Sequence, residues 1–239
     1  MALNSRYINF IEQVIPKPAG DKSQKLRMLE LGDQIIFGDD IPETTGKSYF
    51  ENRGYDHTSV DLNGANGSIK KDLSKPEQFL DWHNRFDIIT NSGTTEHIEP
   101  VSAQYEVFKI IHDCVTVGGM VVHLVPDVVE HDEKGLWKGH CPFFYSREFF
   151  DTLASECGYD LIRNETVNGL RAVAYIKTND SPFKIDREML CSGVAVREGG
   201  MSYGYTTLKG NLLLWARTAA SVTGLEKPLK MILGKSRKS

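Results

Sequence analysis

Short, mostly apolar runs recur along this chain, and their spacing constrains the fold more than any other feature. They are Arg27 to Gly32 (RMLELG), His57 to Leu62 (HTSVDL), the brief Ser68 to Lys71, Phe86 to Thr90 (FDIIT) and Gly118 to Pro126 (GGMVVHLVP). Runs of this length, separated by helical periodicity, are the pattern of buried parallel strands with helices on both faces. The spacing predicts one helix on Tyr105, Phe108, Ile111 and Cys114, and another on Phe149, Phe150, Leu153 and Cys157. Ser146 precedes the second as an N-cap and Gly158 follows it as a stop. Tyr159 to Val167 and Leu170 to Thr178 then flank Asn168-Gly169, a strong hairpin signal. The expected fold is α/β: a doubly wound, mostly parallel seven-stranded sheet ending in an antiparallel β-hairpin.

The chain has 239 residues, enough for one α/β core and an appendage. Residues 1–24 read as an amphipathic helix (YINFIEQVI, stopped at Pro16) and a loop, 25–178 as the main domain, and 179–239 as an extension. Within the extension a helix is expected from Thr207 to Thr223, with Leu208, Leu212, Trp215, Ala219 and Val222 on one face. Residues 207–239 carry seven basic residues and one acid, leaving 21 basic against 31 acidic residues before them. The acidic body would repel phosphate, so a nucleic-acid partner is not expected. The tail is expected to dock on the body or to join two copies into a homo-oligomer, rather than to lie on an anionic membrane. Its basic residues fall mostly beyond Gly224, not along a helical polar face. No apolar leader or membrane-spanning run is seen, and Cys114, Cys141, Cys157 and Cys191 form no CxxC pair. A cytoplasmic location with free thiols is the expectation.

Ligands of open α/β sheets bind beyond the carboxyl ends of the strands, and there the chemistry-bearing residues collect. Glu30-Leu31-Gly32 closes the first run, Asp61-Leu62 the second, and Asp72 follows the third. The fourth continues as FDIITNSGTTEHI, with Asn91, Ser92 and Gly93 and then a Glu96-His97 pair placed at the start of the next helix. Gly139-His140 and Tyr145-Ser146 precede the last crossover helix. This ordered series resembles the class I S-adenosylmethionine (SAM)-dependent methyltransferases, over about residues 25–178. It departs from them after Gly32, where Asp33-Gln34 stands in place of the usual second glycine.

The resemblance implies a Rossmann-like domain with SAM as cofactor and a small-molecule or glycan-type methyl acceptor, methylated at oxygen. It implies that Glu30, Gly32, Asp61, Leu62, Asp72, Asn91, Ser92 and Gly93 bind SAM. Asp61 would take the ribose hydroxyls, as a carboxylate with several acceptor sites can. Asp72 would take the adenine end, and its competing role is a helix N-cap. SAM carries an activated methyl group, so the protein's task is alignment for in-line displacement. The acceptor proton needs a base, and His97 is the first candidate, with His123 or His140 next. His131 and Tyr145 are further candidates to line the acceptor pocket. No metal is expected, because the histidines lack HxxxH or HExxH spacing. The alternative is a non-catalytic binding or scaffold protein of the same fold.

Overall fold

Buried side chains alternate along the strands, and that alternation builds two cores on one sheet. The computed structural model describes residues 2–18, 25–38 and 40–197. The main sheet comprises β1 (Arg27–Leu31), β2 (Asp56–Asp61), β3 (Ile69–Lys70), β4 (Phe86–Ser92), β5 (Val115–Pro126), β6 (Tyr159–Val167) and β7 (Leu170–Lys177). Their order is β3-β2-β1-β4-β5-β7-β6, and β7 runs antiparallel to both its neighbours. The expected seven-stranded, mostly parallel sheet with a terminal hairpin is thus present. Asn168 and Gly169 turn the hairpin at φ 51° and 82°, the left-handed geometry that favours this pair.

Among the described residues, six helices surround the sheet: α1 (Ser5–Val14), α2 (Gly46–Asn52), α3 (Ala103–Cys114), α4 (Val128–Lys134), α5 (Arg147–Cys157) and α6 (Arg187–Gly193). Met28, Ile88, Met120 and Val122 face α1 and α2, while Leu29, Leu31, Ile89 and Val121 share a core with α3, α5 and α6. Asn4 caps α1, which buries Tyr7, Ile8, Phe10 and Ile11. Each such side chain contributes about 1.5–3 kcal/mol of transfer free energy. Phe183, Ile185, Leu190 and Val194 belong to the α3–α5 core. The boundaries expected at 24/25 and 178/179 therefore run through continuous packing. The helix expected at Thr207–Thr223 and the basic tail lie outside the described residues. Among the described residues, no helix is long and apolar enough to cross a membrane.

At the amino edge of the sheet a lysine is buried with its charge satisfied. The ammonium of Lys177, 1% exposed, donates to the carbonyls of His112 (3.0 Å) and Val115 (3.2 Å), and to Asn84 and Asp180. It thereby closes the carboxyl end of α3, where a cation is favourable. Lys177→Met should lower unfolding free energy by about 1.5–3 kcal/mol, the range for losing a charged hydrogen-bond donor. Urea denaturation of the two proteins measures it, and an unchanged midpoint would rule out this role.

Candidate active site

Three strands of the sheet end level with one another. Leu31 stands opposite Val60 of β2 on one side and Asn91 of β4 on the other. The strand order reverses between β1 and β4, so Gly32 and the residues after Ser92 leave the sheet at its topological switch point, where such folds bind ligands. Gly32 adopts φ +85° and donates its N–H to Val60 O at 2.8 Å. Thr94 Oγ1 donates to Leu31 O at 2.7 Å, and a Cβ on Gly32 would come within 2.4 Å of that oxygen. In place of a second glycine, Ile35–Ile36 pairs in parallel with Ala2–Leu3.

The expected cofactor residues fall into four groups. Gly32, Asp61, Leu62, Ser92 and Gly93 stand at this edge. Asp61 accepts the backbone N–H of Asp33 on Oδ2 and of Asn63 on Oδ1, both at 3.0 Å. A carboxylate offers about four acceptor sites, so capacity remains for a diol. Glu30 lies on the opposite face of β1, against Gly46 of α2 and 3.7 Å from His57 Nε2. Burial and the neighbouring Asp33 hold its carboxyl well above the usual range, and burial pushes His57 down to about 3. Asp72 accepts Ser74 N and Oγ, capping its own turn.

Asn91 is fully buried, and its amide is in full use. The NH₂ group donates to Thr95 Oγ1 and His123 Nδ1, both at 2.9 Å, and Oδ1 accepts from Thr95 N at 3.3 Å. His123 Nδ1 is therefore an acceptor, leaving Nε2–H to face the Tyr175 hydroxyl at 3.2 Å. Both ring nitrogens of His123, a candidate base by sequence, are thus engaged. It is 0% exposed, its ring lies against Phe108, Phe150 and Tyr175, and burial pushes its pKa to about 3. His131 packs on Phe144 beside Asp132, and Tyr145 is buried, donating to Gln104 Oε1 at 2.7 Å.

The Glu96-His97 pair does not open a helix, as the spacing suggested. It sits in a single 3₁₀ turn, Thr95–His97, and α3 begins only at Ala103. Pro100 intervenes, lacking an N–H and disfavouring helical geometry at Glu99. The turn is held by Asn91 and by Gln104, whose amide donates to Thr95 O and Ile98 O. Against it comes the loop after α4. Trp137 Nε1 donates to Gly169 O at 2.7 Å, and the His140 ring packs between Trp137 and His97. Glu96, His97 and His140 thus offer one ligand atom each within 4.8 Å of one another. Spacing along the chain argued against a metal, yet folding brings a distant histidine to the Glu-His pair, and the three together could hold one. Sequence reasoning did not single out Gln34, Thr94, Thr95, Gln104 or Tyr175. The small polar run NSGTT was a signal for two of them; the others carried none.

No protein-family model matches the sequence, and no curated protein does. Solved structures do match. The 1,6-didemethyltoxoflavin-N1-methyltransferase of Burkholderia thailandensis, with bound 1,6-didemethyltoxoflavin and S-adenosylhomocysteine, is 18% identical over 65% of this chain and 72% of its own, with a TM-score of 0.47. A protein of Pyrococcus horikoshii OT3 is 14% identical over 72% of this chain and 88% of its own, TM-score 0.49. An O-methyltransferase family protein of Burkholderia thailandensis is 11% identical over 68% of this chain and 54% of its own, TM-score 0.47. The strand order and the reversed β7, read from this chain itself, are those of the class I methyltransferase fold that its motifs resemble.

Two glycines test how tightly the switch point is closed. Gly118 has φ +80° and open space where a Cβ would stand, whereas Gly32 has φ +85° and Thr94 in the way. Gly118→Ala should cost about 1–2 kcal/mol, the left-handed penalty alone. Gly32→Ala should cost more, because Thr94 must also leave Leu31. Equal urea midpoints for the two variants would mean that the Gly32–Thr94 contact is loose.

Proposed function

We propose that this chain is a SAM-dependent methyltransferase that methylates an oxygen of a small-molecule or glycan-type acceptor by in-line displacement. One observation carries the reading. Gly32, the Asp61 carboxylate and the segment after Ser92 leave the sheet at one level, around its topological switch point. Asp61 holds the ribose hydroxyls, and the close backbone at Gly32 and Gly93 admits the methionine part. The Thr95–His97 turn with His140 stands beyond the methyl group, where the acceptor must lose its proton.

A scaffold role without turnover is the second reading. The second glycine is missing, the loop after β1 is tied to Ala2–Leu3, and Asp61 already accepts two backbone N–H groups. Titration calorimetry with SAM and S-adenosylhomocysteine separates the two. Binding is expected, and Asp61→Ala should weaken it by about 1.5–3 kcal/mol, roughly tenfold to 150-fold. Unchanged affinity in a folded variant would remove Asp61 from the site, and no binding by the natural chain would favour the scaffold. With an acceptor found by screening metabolites against labelled SAM, His97→Ala should retain SAM affinity and lower turnover by ~10²-fold or more. Turnover near the natural level would leave His97 without a part in the chemistry.

A further inference from the structure

Glu96 stands out among the described residues as a buried carboxyl group. Its side chain is completely buried at the carboxyl end of β4. Neither carboxylate oxygen has a hydrogen bond from any described residue. A buried carboxyl group without hydrogen bonds costs several kcal/mol, so such groups are normally paired or bound to metal. Yet the turn that carries Glu96 is braced on every side. Asn91, Gln104 and the Tyr145 hydroxyl fix Thr95, while Trp137, pinned to the hairpin at Gly169, fixes the His140 loop. A fold that builds this much support around a carboxyl group to which no described side chain donates offers a place for a ligand.

We propose that Glu96, His97 and His140 bind one divalent first-row transition-metal ion at the methyl-acceptor end of the site. The three ligand atoms already lie within 4.8 Å of one another, and His97 Nε2 is 3.7 Å from Glu96 Oε1. Two ligands of one such ion, each about 2.0–2.2 Å from it, stand about 3–4.4 Å apart. Two imidazoles and a carboxylate select zinc, cobalt, iron(II) or manganese over calcium and magnesium, which prefer oxygen. Three protein ligands leave positions open, as in catalytic rather than structural sites. Burial holds the Glu96 carboxyl up at about 7, which a bound cation would reverse.

The ion's part in catalysis rests on the methyltransferase reading; its binding does not. At the open positions it would take the acceptor hydroxyl and lower its pKa, so that the proton leaves to water and His97 acts through the ion in place of serving as the base. The oxygen then forms its bond to the methyl carbon as the carbon–sulfur bond breaks. The electron pair returns to sulfur, leaving a methyl ether and neutral S-adenosylhomocysteine.

The test uses the full chain, stripped with chelator and titrated with Zn²⁺, Co²⁺ or Mn²⁺. One ion per chain is expected, with a Co²⁺ visible spectrum and a raised Tm. His140→Gln, His97→Gln and Glu96→Gln should each weaken binding at least tenfold, while exposed His83→Ala should not. His140 sits on a half-buried loop, so His140→Gln should keep its fold, checked by circular dichroism. Absence of stoichiometric binding, or binding unaffected by all three substitutions, would overturn the proposal. SAM affinity is measured in parallel. Metal binding without SAM binding upholds the site and removes the methyltransferase reading. SAM binding without metal binding does the reverse.

Discussion

The amide of Asn91 carries out three tasks, and the site depends on all of them at once. It joins β4 to β5 through His123, it receives Thr95 N, and it donates to Thr95 Oγ1. Each bond forms where water is absent, so leaving any of these groups unpaired would cost about 1–3 kcal/mol. The turn bearing Glu96 and His97 is consequently continuous with the core rather than hung on a loop. From Thr95 the network passes to Tyr145 and Gln104, and through Tyr145 it reaches the chain leading into α5. A buried network of this kind rigidifies what it touches, provided that every member is satisfied.

The departure after Gly32 has a structural counterpart. Gly32 keeps the left-handed turn and the close approach to Thr94. The next residues are tied down by strand pairing: Ile35–Ile36 to Ala2–Leu3, and Ile36 N to Thr44 O. Beneath that loop Glu30 lies in contact with α2, where burial favours its neutral form. The first acid of the motif therefore packs beneath the loop, against α2.

The loop carrying His140 is fixed from the other side of the sheet. Asp127 caps α4, forms an ion pair with Arg171 of β7 and accepts from Thr166 of β6. Both residues of the pair are almost wholly buried, and the added hydrogen bonds satisfy the remaining acceptor capacity. Trp137 then ties the end of the loop to Gly169 in the hairpin turn. The terminal hairpin, which completes the sheet, is thus also what brings His140 across to His97.

Local pattern by itself determined the sheet, the hairpin at Asn168-Gly169, the helix α3, and α5 with its caps. It did so because strand alternation, helical periodicity and turn chemistry act over a few neighbouring residues. It also placed Gly32, Asp61, Ser92 and Gly93 at strand ends, since an acid or glycine after an apolar run marks where a strand stops. It could not say which way a side chain faces or what it meets. His123 and His140 look alike in the sequence, yet one is sealed between the sheet and helices α3 and α5 and the other stands beside His97. Glu30 and Glu96 look alike as well, and tertiary packing gave one a neighbouring helix and the other two imidazoles. Such pairings join residues brought together by folding, and only burial on one or the other face of the sheet decides them.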